Sequence, residues 1–255
     1  MKESNFGEED NKGNWIPRKK ISYAPLLTWP IKPLKIIKWI FGFPGFFLPW
    51  NFFYIFLSVL VWFYLTPSIE TMISLKYDWV ILIYLRNILL AVVIYGTWHM
   101  WFYVWRKQEK KFKYNKNWPS ENSKNFLFHN QTYDNIFWSL VSGVTIWTIY
   151  EVIILWQYSI GNLSILSFNE HPYIFILIFL IIPLIHELGF YFTHRLLHAK
   201  FLYKIAHRVH HKNINPGPWS GLSMHPIEHL MYFGIILILL LFPTHPLHTL
   251  NLLIR

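Results

Sequence analysis

Four runs of mostly apolar residues, at 47–65, 79–105, 135–158 and 172–192, constrain this chain more than any other feature. A helix needs about 20 such residues to cross the hydrocarbon of a bilayer. No backbone N–H or C=O can be left unpaired there, so runs of this length read as helices. The competing reading, a very apolar soluble core, fails on run length. It also fails on charge: 14% of residues are charged, whereas a soluble domain carries about a quarter. The expected fold is therefore all-α, an integral membrane helical bundle of about four spans. A last apolar stretch from Leu230 to Phe242 is short for a span and reads as a re-entrant or fifth apolar helix.

The polar segments order themselves around these runs. Residues 1–46 form an N-terminal cytoplasmic or interfacial segment, with 1–14 as a disordered tail. Prolines at 25, 30, 33 and 44 forbid one long helix there. A short interfacial helix over 34–41 fits, with lysines 32, 35 and 38 at the lipid headgroups. No cleavable signal peptide is expected, because residues 1–14 lack an apolar stretch. Residues 47–192 make the transmembrane region, 193–229 a histidine-rich catalytic segment, and 230–255 a C-terminal apolar segment that reads as truncated. Lys and Arg number eight before the first span, then one (66–78), seven (106–134), none (159–171) and five (193–229). By the positive-inside rule the N-terminus, the lysine-rich loop and the histidine segment share the cytoplasmic side, making a cytoplasmic histidine-rich helical cap. The net charge of +10 comes from these flanking residues, so no nucleic-acid partner is expected. The chain has no cysteine, which excludes disulfides, thiolate metal sites and cysteine nucleophiles.

Eight of the thirteen histidines lie between His186 and His229, far too many for scatter. His194-Arg195-Leu196-Leu197-His198 puts two imidazoles at i and i+4, on one face of a helix. His207-Arg208-Val209-His210-His211 puts three at i, i+3 and i+4. His225-Pro226-Ile227-Glu228-His229 adds another i, i+4 pair with a carboxylate inside it. Two short helices with such faces can converge on one metal centre. Imidazole suits zinc, iron, copper or nickel. A catalytic zinc takes three protein ligands and a water, fewer than this cluster offers, so two metals are expected. His186-Glu187 begins a metallopeptidase motif, but Phe190 stands where the second histidine belongs. A haem uses one or two axial histidines and would leave the rest unexplained.

The two boxes, with Met224-His225-Pro226-Ile227-Glu228, resemble the fatty acid hydroxylase superfamily, which includes sterol desaturases and sterol methyl oxidases. Phe190-Tyr191-Phe192 before the first box and the Asn215-Pro216-Gly217-Pro218-Trp219-Ser220-Gly221 loop are similar as well, so the likeness covers roughly 130–243. The resemblance implies a membrane-bound non-haem di-iron oxidoreductase that hydroxylates or desaturates a lipid, sterol or fatty-acyl in type. Dioxygen would be co-substrate, and two electrons would come from an external donor of the cytochrome or ferredoxin type. It implies His194, His198, His207, His210 and His211 as metal ligands, and His225 and His229 as ligands or their supports. Glu228 would join the catalytic set by orienting one of these histidines; the other reading of Glu228 is a helix-end ion pair with a Lys or Arg.

Members of this family carry a further His-x-x-His-His box near the C-terminus. Here the last histidines are His245 and His248, three apart after the final apolar stretch, which this topology puts deep or on the far side. The expectation is of a truncated product that binds metal weakly or at one position and has little activity alone. The alternatives are a non-catalytic membrane protein derived from the family and a histidine-lined metal transporter. Arg86 and Glu151, inside spans two and three, are expected to pair, or else to contact a substrate headgroup. His186 lies about 80° around the helix from His194 and two turns deeper, and reads more as packing than as a ligand. His99 reads as an interface or packing residue.

Overall fold

The computed structural model describes residues 7–9, 15–17, 23–111, 113 and 115–255. The expected disordered tail falls mostly outside these residues; within it, β1 (Gly7–Glu9) pairs antiparallel with β2 (Trp15–Pro17). Apart from that hairpin and isolated bridges, the described chain is helical. α1 (Pro33–Phe41) forms where the proline at its first position fits helix geometry, and it carries two of the three interfacial lysines, Lys35 and Lys38.

Among the described residues, four helices are long and apolar enough to cross a membrane: α2 (Phe47–Leu65), α3 (Tyr77–Val104), α4 (Gln131–Ser159) and α5 (Pro172–Leu197). α4 is the most buried of the four and serves as the bundle's axis. It packs on α3 through Arg86, whose Nη2 donates to Glu151 Oε1. Asn87 Nδ2 donates to Glu151 Oε2 at 2.9 Å and to Thr148 Oγ1 at 3.1 Å, and Arg86 Nη1 reaches Thr66 Oγ1 at 3.2 Å. Each charge at this depth therefore meets partners, as an intramembrane ion pair must.

α5 extends beyond the apolar run. Nothing from Phe192 to Leu197 breaks a helix, so it continues through the first histidine box and stops at His198, just before Ala199 turns extended. The first box thus rides on a span, not on a separate short helix. The helical segment α6 (200–211) then carries the second box. After the Pro216–Gly221 turn, α7 (Pro226–Leu241) runs from the histidine end toward the loop between α4 and α5, where Leu166 N–H donates to the Thr244 carbonyl at 3.2 Å. α8 (Pro246–Leu253) turns back and packs on α2, α4 and α5. α7 and α8 together form a re-entrant pair inside the bundle. His248 sits between Phe175 and Phe179 near the start of α5, its Nε2 donating to the Phe175 carbonyl at 3.0 Å.

Candidate metal centre

The two histidine boxes meet where α5 ends and α6 passes over it. His194, His198, His207 and His211 each offer a nitrogen, and all four nitrogens lie within 4.8 Å of one another. Within the first box the Nε2 atoms of His194 and His198 are 3.1 Å apart; within the second, those of His207 and His211 are 2.9 Å apart. Nitrogens about 2.0–2.1 Å from a shared ion, at right-angled to tetrahedral positions, stand roughly 2.8–3.4 Å from each other, so both pairs have the spacing of neighbours in one coordination sphere. Protons shared pairwise between ring nitrogens leave the two boxes unconnected. A cation joins all four, and the donor set therefore fits a metal.

The surroundings support this fit. His207 is fully buried. Burial, and next the neighbouring imidazoles, push it down to about 3, and burial also lowers His211. Both rings are therefore neutral at pH 7 and present lone pairs, as ligands must. Glu228 Oε1 lies 2.8 Å from His207 Nδ1, leaving Nε2 to face the other rings. This is the arrangement in which a carboxylate fixes the tautomer of a ligating histidine. Burial alone pushes the Glu228 carboxyl up to about 8, whereas a bound cation reverses that preference and keeps it ionised. Its Oε2 is buried with no hydrogen-bond partner.

The other candidates lie apart from this cluster. His210 is not one of the four: its ring lies nearly parallel to that of His207 at 5.8 Å, and its Nδ1 is buried without a hydrogen bond. His225 caps α7, Nδ1 accepting from the Ile227 N–H at 3.3 Å. His229 accepts at Nδ1 from Ser142 Oγ at 2.9 Å and donates from Nε2 to the Leu222 carbonyl at 3.1 Å. Both of its nitrogens are thus engaged by the protein. His186 Nε2 meets Tyr232 Oη at 3.1 Å, and His99 stacks on Tyr103. Tyr203 is the residue that sequence reasoning missed: its ring lies 5.8 Å from His198 and 5.7 Å from His211. Its position four residues before His207, on the same helical face as the second box, was a legible signal. A groove of about 740 Å³ opens beside the cluster, lined by Phe190, Tyr191, His194, Leu196 and His198.

Residues 179–254 match the fatty acid hydroxylase family. Similar proteins include a Delta(7)-sterol 5(6)-desaturase of Gibberella zeae, 44% identical over 43 residues, which are 17% of this chain and 13% of that protein. Fatty acid hydroxylase domain-containing protein 2 of Homo sapiens is 46% identical over 55 residues, 22% of this chain and 16% of its own length. Methylsterol monooxygenase 1 of Gallus gallus is 39% identical over 57 residues, 20% and 19% respectively. The alignments thus span less than a fifth of each relative. No solved structure matches the chain.

Proposed function

The chain carries a fatty acid hydroxylase segment over residues 179–254, and on that premise we propose that it is a multi-pass membrane oxidoreductase whose histidine cluster holds non-haem iron to hydroxylate or desaturate a lipid. The observation that carries this reading is the convergence of four imidazole nitrogens from two elements. His194, His198, His207 and His211 would hold the iron. Once bound, it supplies activation of dioxygen with two electrons from a cytochrome- or ferredoxin-type donor. Glu228 accepts from His207 Nδ1–H and so keeps the Nε2 lone pair pointed at the centre. Tyr203 packs against three of the rings and limits their rotation. Phe190, Tyr191 and Leu196 give the groove apolar walls, so an acyl chain or sterol ring enters from the bilayer against α5. The histidine end faces the cytoplasm in this reading, as the Lys and Arg counts indicate.

A second reading, two irons per chain, draws on His210, whose buried Nδ1 lacks a partner next to the cluster. That ring would supply a ligand for a second ion. Cells expressing the wild-type chain and the His198→Ala variant separate the lipid-oxidising function from its absence. Lipid extracts of the wild type should contain a species heavier by one oxygen or lighter by two hydrogens, missing from the variant. Identical lipid profiles would reject the proposal.

A further inference from the structure

The helix that carries the second histidine box also carries a row of charge that the metal centre does not use. Tyr203, His207 and His211 recur every four residues along α6 and face the first box. Lys204, Arg208 and Lys212 each follow one of them, and Lys200 starts the same series. One residue is about a quarter turn of helix, so a row of cations runs alongside the row of rings. Both rows border a cavity of about 630 Å³, lined by Lys124, Lys204, Arg208 and Lys212 together with Tyr203 and His211. No carboxylate lines it. Among the described residues, Lys212 alone of the four cations finds an acid, its Nζ standing 2.7 Å from Oδ1 of the buried Asp134. Lys124, Lys204 and Arg208 are exposed. So are two apolar residues that line the same cavity, Ile205 and, at 82%, Ile214.

The cluster therefore has two openings of different chemistry. His194 and His198 line the groove with apolar walls on α5. His211, an exposed member of the cluster, lines the cationic cavity on α6. No residue lines both. The preference for positive loops on one side of a membrane accounts for the sign of this charge. It does not account for a cavity in which cations surround a cluster imidazole. We propose that this cavity and the Lys204–Arg208 row form the docking site of an acidic one-electron carrier protein, whose reduced haem or iron–sulfur group is brought against His211. This rests on the lipid-oxidising reading of the cluster and names where its electrons enter. Charge complementarity selects the partner: carboxylates around the carrier's cofactor meet Lys124, Lys204 and Arg208, and Ile205 and Ile214 give the contact its apolar centre. Each visit oxidises the carrier by one electron. Two visits, with two protons from water, supply what hydroxylation takes beyond dioxygen, one oxygen passing to the lipid and the other to water. Desaturation takes the same inputs and releases two waters.

Binding to the detergent-purified full chain tests the site without reference to turnover. The probes are the soluble domain of an acidic b-type cytochrome and an acidic plant-type ferredoxin, with a basic cytochrome c as control. Raising the ionic strength from about 0.01 to about 0.15 M shortens the Debye length from about 30 to about 8 Å. At least one acidic carrier should bind and weaken by about tenfold or more over that range, while cytochrome c should not bind. Lys204→Glu/Arg208→Glu, at two exposed positions, should weaken the acidic carrier by about tenfold, whereas the same charge change at Lys107→Glu/Lys110→Glu should stay within about twofold. In this cysteine-free background, a nitroxide on Ile214→Cys should broaden the resonances around the haem edge of the reduced, diamagnetic cytochrome. Absent or salt-independent binding of both acidic carriers by the wild type overturns the docking site, and needs no variant to fold. So does equal weakening by the two charge-reversed pairs, or broadening confined to the carrier face away from the haem. Binding that persists in neutral nanodiscs but vanishes in phosphatidylserine-rich ones would give the row to lipid headgroups, and overturns the site as well. His198→Ala should bind the carrier as the wild type does. Salt-sensitive docking by a chain that oxidises no lipid would sink the reading of the cluster alone. Lipid oxidation by a chain whose carrier binding ignores Lys204 and Arg208 would sink the docking site alone.

Discussion

His207 faces three other imidazoles with one nitrogen and Glu228 with the other. Supports of this kind set the tautomer and basicity of a ligand, and their loss typically costs 10–100-fold in metal affinity. Glu228→Gln keeps the shape and an acceptor but removes the charge. Iron affinity, measured against a chelator, should fall by about that factor, with helix content unchanged; an unchanged affinity would reduce Glu228 to a packing residue. The pairs at i and i+4 were legible as helix faces, and two of them meet. The equally regular pair His225 and His229 goes elsewhere, because spacing tells which residues share a face and not what the face meets. The partners of His229 are Ser142 and the Leu222 carbonyl, and Ser142 is 87 positions away. No local pattern carries that pairing.

Helix against helix, the site depends on how closely α5 and α7 approach. A Cβ on Gly189 would come within 2.6 Å of Ile235 Cγ2, on a β-branched side chain that has little freedom to move. Gly189→Ala therefore wedges the two helices apart and should cost roughly 1–3 kcal/mol in denaturant titrations. It should also weaken metal binding, since α5 carries the first box and α7 carries Glu228. A variant of wild-type stability would show that the helices are not in contact there. Between α3 and α4, Glu151→Ala leaves the Arg86 guanidinium buried without its anion, which should cost about 3–5 kcal/mol. Loss of less than about 1 kcal/mol would mean that the pair is solvated. Both charges were visible in the sequence as intruders in apolar runs. Their pairing follows from the expense of leaving either alone. The span centres were legible from run length, but the extension of α5 past Phe192 was not. Polar residues from His194 onward look like a loop in a hydropathy profile, yet nothing among them interrupts a helix.

For the molecule as a whole, the alternation of Lys and Arg predicts that the N-terminus, the 106–134 loop and both histidine boxes share one side of the membrane. With no native cysteine, Asn115→Cys and Ile165→Cys can be labelled one at a time in sealed vesicles. A reagent outside inverted vesicles should modify position 115 and spare 165; the reverse would invert the bundle and place the histidines away from the cytoplasm. The re-entrant α7–α8 pair returns the chain to the bundle interior, where α8 packs on α2, α4 and α5. The most direct measurement is the iron content of the detergent-purified chain after anaerobic reconstitution, compared with His207→Ala. The account predicts at least one tightly held iron per wild-type chain, and its loss in the variant without loss of membrane insertion. A wild-type chain that retains no iron, or a His207→Ala chain that retains all of it, would contradict the account.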